Sequence, residues 1–379
     1  MICRWGRVVF RHPCLKTIHQ IASLDLYLPI FSESPCGILF ANISDMKVLF
    51  YMLPFLLFLC SCGGPPPDAP SLDGYISNGE ASLDGDGATV RFRFLDVGEG
   101  DATLITTASG KNILIDAGTE EMGRERVLPL VVANGGRLEL IIASHHDSDH
   151  IGGIAAVIKG EDGILGTADD IIPKGGIIDR GGLESIKTQA LSNYKVAATP
   201  YLREIDVGES ITVDNLLIRF LYKNGRYMDG ESVDVDDENN LGISMLISVG
   251  DFKYLSSGDI GTSDVDWWNG QFVPKDIERH IGELAGDIDV LHVGHHGSKY
   301  STSEGFLSIA KPEYAIISVG PNRYGHPSPE VIGRLLDVGA KIYATCDETL
   351  LPDGDRVDAV GGDICLETDG DYISIGCSE

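Results

Sequence analysis

The sequence predicts a mixed α/β fold of the α+β kind: two β-sheets packed face to face with helices on both outer sides, a four-layer αββα sandwich. Three observations predict it. Arg91-Phe92-Arg93-Phe94 alternates charged and aromatic side chains, as a strand with one buried face does. A strand-rich start over 90–116 precedes a helical stretch over 124–135 that stops at a glycine. After an irregular middle, a second alternating half follows.

The beginning of the chain predicts export. A charged residue opens the apolar run Val48–Leu59, which is too short to span a bilayer comfortably and is typical of a secretory signal. Leu59-Cys60-Ser61-Cys62 follows and resembles a bacterial lipobox, with cleavage before Cys62 and a lipid on that cysteine. We interpret 46–61 as a lipoprotein signal peptide and 1–45 as an artefact of an upstream start codon. The mature protein would then be exported and lipid-anchored to a bacterial membrane.

The rest of the chain is predicted to be a tether and one domain. Residues 62–88 read as a flexible linker, because their first part is rich in Gly and Pro and has no apolar period. The folded domain then covers 89–379, and no other segment is long and apolar enough to cross a membrane. Export would also permit one disulfide among Cys346, Cys365 and Cys377, with the third cysteine unpaired, or all three could be free.

The formal net charge of −28 constrains the substrate. With 57 acidic and 29 basic side chains, the surface repels polyphosphates at long range, whereas non-specific duplex binding relies on clustered Lys and Arg. We therefore expect no broad duplex-binding surface. The other explanation is that this charge serves only to keep the protein soluble.

One segment predicts a metal site. The apolar run Leu138–Ala143 ends in Ser144–Gly153, which holds three histidines and two aspartates. A buried strand that ends this way delivers ligands to the rim of a sheet, and this mixture is typical of a divalent metal site rather than a solvated polar loop. A dinuclear site needs more ligands. Two later segments could supply them, Gly258-Asp259 and His295-His296-Gly297-Ser298.

Two acidic inserts accompany these motifs. The insert over 161–170 could hold calcium, but its spacing is not that of an EF-hand, and a solvated loop is the favoured interpretation. The second insert, Asp234–Glu238, is also interpreted as a solvated acidic loop.

Six ordered motifs resemble the metallo-β-lactamase-fold domain of the ComEC competence proteins, over about residues 90–376. They are Phe94–Ala102, Leu114–Gly118, Ser144–Gly153, Gly258-Asp259, His295–Ser298 and Tyr324–Pro327. The resemblance implies a ligand run in which His146 is a bystander, made of His145, Asp147, Asp149 and His150. It also implies that Asp259 bridges two metals and that either His295 or His296 is the last histidine ligand.

The chain departs from the wider superfamily at the first metal position. Asp147 stands where most members have a histidine, and no histidine occurs between His150 and His280, so the usual middle histidine ligand is missing. Asp179 is a candidate oxygen substitute, although a turn aspartate is the favoured interpretation. More carboxylates and fewer imidazoles allow manganese as well as zinc.

We therefore hypothesise a hydrolase with two divalent metals, zinc or manganese, of which the one held by Asp149, His150 and the late histidine is the tighter. Asp149 would orient the attacking water. His326 would donate a proton to the leaving group or stabilise an oxyanion, although it could equally cap the turn before Pro327.

The sequence leaves two substrate classes open. The resemblance favours a phosphodiester, as in a nuclease or phosphodiesterase, while the acidity favours a small ester, lactone or lactam. A non-catalytic binding module on the same fold is a further alternative, against which the retained His145 and Asp149-His150 argue. A redox relative would need iron and a flavin-binding partner domain, for which the chain has no room.

Overall fold

The computed structural model describes residues 72, 74–77, 88–183, 188–266, 271–351 and 356–377, all within the unit Asp68–Glu379. The predicted signal peptide, the segment before it and Cys62 lie outside the described residues. In the part of the chain that is described, no helix has the length and apolar character needed to cross a membrane.

The first sheet has eight strands. From one edge to the other they are β20 (Ile373–Cys377), β19 (Ile364–Thr368), β2 (Val90–Phe94), β3 (Thr103–Thr106), β4 (Asn112–Ile115), β5 (Leu140–Ile142), β6 (Ile177–Ile178) and β7 (Leu202–Arg203). The strands are antiparallel from β20 to β4 and parallel from β4 to β7.

The second sheet has ten strands. Nine of them follow one another in space as β1 (Ile76–Ser77), β8 (Ser210–Val213), β9 (Leu216–Lys223), β11 (Ile243–Val249), β12 (Phe252–Ser256), β15 (Val290–His292), β16 (Tyr314–Ile317), β17 (Lys341–Ala344) and β18 (Val357–Ala359). The tenth, β10 (Arg226–Tyr227), pairs with β9, and a separate hairpin is formed by β13 (Ser263–Asp266) and β14 (Gln271–Pro274). Pairing is antiparallel from β1 to β12 and parallel from β12 to β18.

Helices cover the outer face of each sheet. Those packed with the first sheet are α1 (Glu120–Met122), α2 (Leu128–Ala133), α3 (Ser148–Ile151), α4 (Ile154–Ile158) and α5 (Gln189–Ala198). Those packed with the second sheet are α6 (Ile277–Ala285), α7 (Glu304–Ala310) and α8 (Pro329–Asp337). A third apolar cluster lies between the sheets and draws side chains from both. The predicted four-layer αββα sandwich is confirmed.

The apolar layer between the two sheets explains why charged and aromatic residues alternate over Arg91–Phe94. Phe92 and Phe94 of β2 are buried, whereas Arg91 is exposed. The ring of Phe92 lies 5.6 Å from that of Phe252 and 5.3 Å from that of Tyr254, measured between centres, so aromatic rings of the two sheets contact each other directly. Burial of such rings is the main source of stability in a core of this kind.

The helical stretch begins earlier than predicted. It starts at Glu120, because the side chain of Thr119 accepts a hydrogen bond from the backbone N of Met122 at 3.3 Å and so caps the helix. A π-helical turn over Gly123–Val127 joins α1 to α2. A side chain at Gly123 would come within 2.2 Å of the Cα of Gly153, so two glycines allow this turn to cross the end of the segment Ser144–Gly153.

Part of the predicted linker belongs to the domain. Ile76-Ser77 pairs with β8, Leu72 is buried, and the Tyr75 hydroxyl donates a hydrogen bond to Glu139. An apolar residue and a tyrosine within a polar stretch are enough to form an edge strand once a partner strand is present. Cys346 and Cys365 are both free thiols, so neither takes part in the disulfide that export would permit.

Candidate metal centre

The candidate site lies where strands of both sheets end. In the first sheet, the parallel strands β4 and β5 are followed by Asp116 and by Ser144–Gly153. In the second, the parallel strands β12 and β15 are followed by Asp259 and by His295-His296. The carboxyl ends of parallel strands are the usual position of ligand sites in such sheets. These polar side chains therefore converge at one end of the sandwich.

Asp259 lies at the centre of the predicted ligands. Its Oδ1 is 3.3 Å from Nε2 of His150, and its Oδ2 is 3.7 Å from Nε2 of His296. The same Oδ2 is 3.8 Å from Nε2 of His145 and 3.8 Å from Nε2 of His295. One carboxylate thus faces imidazoles with both of its oxygens, as a ligand that bridges two cations must.

The two aspartates of the ligand run differ in exposure. Asp149, His150 and His296 each place one ligand atom within 4.8 Å of the other two, and Asp149 Oδ2 is 3.5 Å from His296 Nε2. Asp147 Oδ2 is 3.7 Å from Nε2 of His145, but the Asp147 side chain is 46% exposed. The ligand set expected to be tighter is therefore compact, and the other set is open to solvent at Asp147.

Four buried ligand atoms in this cluster have no hydrogen-bond partner among the described residues. They are Nε2 of His145, Nε2 of His150, Nε2 of His296 and Oδ1 of Asp259. Buried polar atoms are nearly always paired, so a group of unpaired ones requires an explanation. Imidazole nitrogens and a carboxylate oxygen that converge in this way are the ligands that divalent metals take. The residues present therefore fit a metal centre.

The electrostatics keep the carboxylates ionised. Burial by itself would raise the pKa of Asp259, but the imidazoles of His150 and His296 hold it well below its usual value. Burial likewise opposes ionisation of Asp149, and the same two imidazoles again lower its pKa. Deprotonated carboxylates are the form that binds metal.

Asp116 lies at the candidate centre, although the sequence alone indicated no role for it. Its Oδ2 lies 2.9 Å from Nδ1 of His150 and accepts a hydrogen bond from Oγ of Ser144 at 2.6 Å, while its Oδ1 accepts one from the backbone N of Ser144 at 2.8 Å. A carboxylate on Nδ1 orients the ring so that Nε2 points to the metal. Asp116 lies within the motif Leu114–Gly118, which is the only sequence signal for it.

Asp101 is a second such residue, from the motif Phe94–Ala102. It is buried, with Oδ1 3.5 Å from Nε2 of His292 and 3.6 Å from Nδ1 of His296. Burial would raise its pKa, but these two imidazoles hold it far below its usual value. Nδ1 of His296 is hydrogen-bonded to the backbone carbonyl of Ser318 at 3.0 Å, which orients the ring, and Asp101 adds a nearby negative charge.

Both histidines of the late pair face the site. His295 and His296 have left-handed backbones, with φ of 51° and 52°, which non-glycine residues adopt only at a cost in energy. His296 is buried in the cluster, whereas the His295 side chain is 30% exposed at its rim. Nδ2 of Asn239 lies 3.4 Å from Nδ1 of His295. The strained turn explains how two adjacent residues reach one carboxylate.

His326, the predicted proton donor, also lies at the rim. Its ring centre is 5.4 Å from that of His295, and its Nδ1 is 3.1 Å from Oε1 of Glu99. The turn before Pro327 is capped instead by Asn322, whose Oδ1 accepts hydrogen bonds from three backbone nitrogens. The His326 imidazole is therefore not needed for that turn.

His146, the predicted bystander, belongs to a separate buried group. Its Nε2 is 3.5 Å from Oδ2 of Asp179, and its Nδ1 is 3.7 Å from Oε1 of Glu238. Asp179 also accepts hydrogen bonds from Gly181 N and the Tyr194 hydroxyl, at 2.8 and 3.0 Å. Among the described residues, no group of mutually close metal-ligating atoms includes Asp179.

The interpretation of Asp234–Glu238 as a solvated loop is wrong at Glu238. Nε of Arg180 donates a hydrogen bond to Glu238 Oε1 at 2.6 Å, and the backbone N of His146 donates to the same oxygen at 2.9 Å. A buried guanidinium needs a carboxylate partner, and Glu238 is that partner.

The acidic insert over 161–170 forms tight turns. Asp162 accepts a hydrogen bond from the backbone N of Ile164 at 2.8 Å, and Asp170 accepts one from Gly166 N at 2.6 Å. Within the described ranges, the groups of side chains suited to a metal include none of these carboxylates. The solvated loop remains the favoured interpretation, and calcium remains a prediction.

The strand order and the strand-end cluster define a domain of the metallo-beta-lactamase fold, and residues 95–177 match the family model of the metallo-beta-lactamase superfamily. This stretch is therefore similar to that superfamily. The chain is also similar to part of three proteins, and the resemblance inferred from the motifs is confirmed.

The first of these relatives is competence protein ComA of Neisseria gonorrhoeae, with 29% identity over 254 residues, 66% of this chain and 30% of that protein. ComE operon protein 3 of Bacillus subtilis is 28% identical over 271 residues, 66% of this chain and 31% of that protein. Recombination protein 2 of Haemophilus influenzae is 30% identical over 246 residues, 64% of this chain and 26% of that protein. The chain thus spans about a quarter to a third of the length of these curated relatives.

Two solved structures are also similar. CmlA, a diiron beta-hydroxylase from Streptomyces venezuelae, has a TM-score of 0.42 at 12% identity, over 66% of this chain and 52% of that chain. The metallo-beta-lactamase fold protein YhfI from Bacillus subtilis has a TM-score of 0.41 at 10% identity, over 76% of this chain and 99% of that chain.

Proposed function

We propose that this protein is a hydrolase of phosphodiesters that works with two divalent cations. The observation that carries the proposal is the set of four unpaired buried ligand atoms around Asp259. Asp149, His150 and His296 would hold one cation, and His145 and Asp147 the other, with His295 at the rim and Asp259 between them. The mixed oxygen and nitrogen ligands suit zinc or manganese.

Bound divalent cations would lower the pKa of water and neutralise charge on a phosphoryl oxygen. The side chains supply the remaining functions. Asp149 orients the attacking water. Asp116 holds His150 in place, and the backbone carbonyl of Ser318 holds His296 in place. His326, held by Glu99, donates a proton to the oxygen of the leaving group.

The relatives favour a phosphodiester over another ester. One of them is named a recombination protein, and recombination acts on DNA. The charge of −28 argues against a broad duplex-binding surface, so we propose a substrate that binds locally at the centre. The same acidity favours a small ester or lactone, which is the second candidate class.

A substrate screen tests the proposal. Purified protein is assayed with bis-(p-nitrophenyl) phosphate, single-stranded DNA and a lactone, each with zinc and with manganese. We expect hydrolysis of the phosphodiesters that a chelator abolishes and added metal restores. Hydrolysis of the lactone alone would replace the proposed substrate class, and activity unaffected by chelator would contradict the metal mechanism.

A further inference from the structure

One aromatic side chain beside the metal centre is exposed although its backbone is firmly held. Tyr324 is 64% exposed. Oδ1 of Asn322 accepts hydrogen bonds from the backbone N of Tyr324, Gly325 and His326 at 3.0, 2.9 and 3.1 Å. Nδ2 of Asn322 donates to His326 O at 2.7 Å. A side chain presented by a pre-ordered loop loses less entropy when it binds a ligand.

Tyr324 contacts the ring of His326, which in turn lies close to the candidate ligands His295 and His296. Tyr324 stacks on His326, with ring centres 5.7 Å apart and planes 27° apart. The His326 ring is 5.4 Å from that of His295 and 6.4 Å from that of His296. A substrate whose reacting bond lies at the metal centre therefore has Tyr324 within reach of the group attached next to that bond.

Arg323 adds a positive charge at the same place. It is exposed, its guanidinium carbon lies 5.4 Å from the centre of the Tyr324 ring, and no ion pair joins it to a carboxylate of the described residues. Arg91, Arg93 and Arg126, by contrast, are all ion-paired in this acidic chain. An unpaired guanidinium is suited to bind phosphate oxygens.

We propose that Arg323 and Tyr324 form a substrate-binding ledge for a nucleotide unit, with the base stacked on Tyr324 and its phosphate bound by Arg323. This inference rests on the proposed function and names its substrate class as phosphodiesters that carry an unpaired base. Bases within a duplex are stacked on one another, so only a single strand or a strand end can use the ledge. Aromatic side chains bind single strands in this way.

A binding experiment tests the ledge without requiring hydrolysis. Calorimetry on manganese-loaded protein compares thymidine 5′-monophosphate with deoxyribose 5-phosphate, which lacks the base. We expect the nucleotide to bind about tenfold or more tightly, because stacking of one base is worth about that factor. Tyr324→Ala should abolish the preference, Tyr324→Phe should keep it, and Tyr372→Ala, which removes another exposed tyrosine, should change nothing.

Arg323 is tested with the same ligands. Arg323→Ala should weaken the binding of both ligands by a similar factor, because the lost contact is to the phosphate group that they share. Arg323→Lys should restore part of the affinity. Equal binding of both ligands by the wild type, or a preference that survives in Tyr324→Ala, would overturn the ledge. Phenyl phosphate tests whether any aromatic phosphate binds as a nucleotide does. If it binds as tightly as thymidine 5′-monophosphate, the nucleotide assignment is wrong.

The ledge and the proposed function can fail separately. If the protein prefers the nucleotide through Tyr324 but hydrolyses no phosphodiester, the ledge stands and the proposed reaction is wrong. If it hydrolyses DNA and an abasic strand with equal KM, and Tyr324→Ala does not change that KM, the reaction stands and the ledge is wrong.

Discussion

Asp259 is the side chain on which the candidate centre most depends, since it is within 3.8 Å of four imidazoles. We expect Asp259→Ala to abolish hydrolysis and to reduce bound metal by at least one ion per chain. The fold should persist, because it rests on the apolar layers between and outside the sheets. Metal analysis and circular dichroism measure both effects. Asp251→Ala, at an exposed turn, is the control, and wild-type rates in Asp259→Ala would remove Asp259 from the site.

We expect Asp116 to act on a bound metal through His150, whose Nδ1 it contacts at 2.9 Å. We expect Asp116→Asn to lower metal affinity about 10–100-fold, the usual effect of losing a carboxylate behind a ligating histidine. Calorimetric titration with manganese or zinc measures it. Asp214→Asn is a matched control. The backbone of Asp214 has the same left-handed φ of 54° as that of Asp116, but Asp214 lies on a hairpin and pairs with Lys111. Unchanged affinity in Asp116→Asn would mean that His150 is held by other contacts.

Asp147 is expected to influence which metal the more solvent-exposed position prefers. If it binds the more open cation, Asp147→His should shift the activation profile toward zinc, because nitrogen ligands suit zinc better than manganese. The wild type should be active with manganese over a wider concentration range than the variant. An unchanged profile would make Asp147 an ordinary loop aspartate.

At the scale of elements, the centre depends on turns between strands and helices. One of these turns, after the late histidine pair, is fastened to α6. Glu278 is buried and accepts hydrogen bonds from the backbone N of Thr302 and Ser303, at 2.7 and 3.1 Å. Arg334 of α8 donates to Thr302 O at 2.9 Å. The loop after His295-His296 is thus held by two helices, α6 and α8.

This contact predicts a pH dependence of stability. Burial raises the pKa of Glu278 from 4.5 to about 8, so between these values the folded state holds a proton that the unfolded state has lost. The free energy of unfolding should therefore fall as pH rises through this window, by no more than about 1.4 kcal/mol per pH unit, and level off above it.

Urea unfolding at several pH values, compared between wild type and Glu278→Gln, isolates this contribution. The variant cannot lose the proton, so its stability should fall less steeply over the window. Glu283→Gln, on the exposed side of α6, should behave as the wild type does. Parallel curves for wild type and Glu278→Gln would show that the buried carboxyl does not titrate there.

At the scale of the whole molecule, the sequence predicts a lipid anchor at Cys62. We expect Cys62→Ser to leave the protein without lipid and to release it from membranes, because the thiol is the predicted acceptor. Fractionation and incorporation of labelled fatty acid measure this. Cys60→Ser is the control within the same segment. Membrane association of Cys62→Ser would contradict the lipobox interpretation.

The layers of the molecule could be predicted because they follow from local patterns. Arg91-Phe92-Arg93-Phe94 has a period of two, and a half-buried strand is the structure that period produces. The edge strand Ile76-Ser77 could not be predicted in this way. Two residues carry no period, and the strand exists only because β8 offers it hydrogen bonds.

Sequence by itself determined the residue types that could bind metal, since three histidines and two aspartates after a buried strand have few other uses. It could not decide among His295, His296, Asp147 and Asp179. Only the tertiary structure placed His296 in the buried cluster, His295 at its rim and Asp179 beside His146, and it added Asp101 and Asp116 behind the imidazoles. The physical reason is that a ligand set is defined by distances between atoms far apart in the chain, which depend on how the strands of two sheets end against each other.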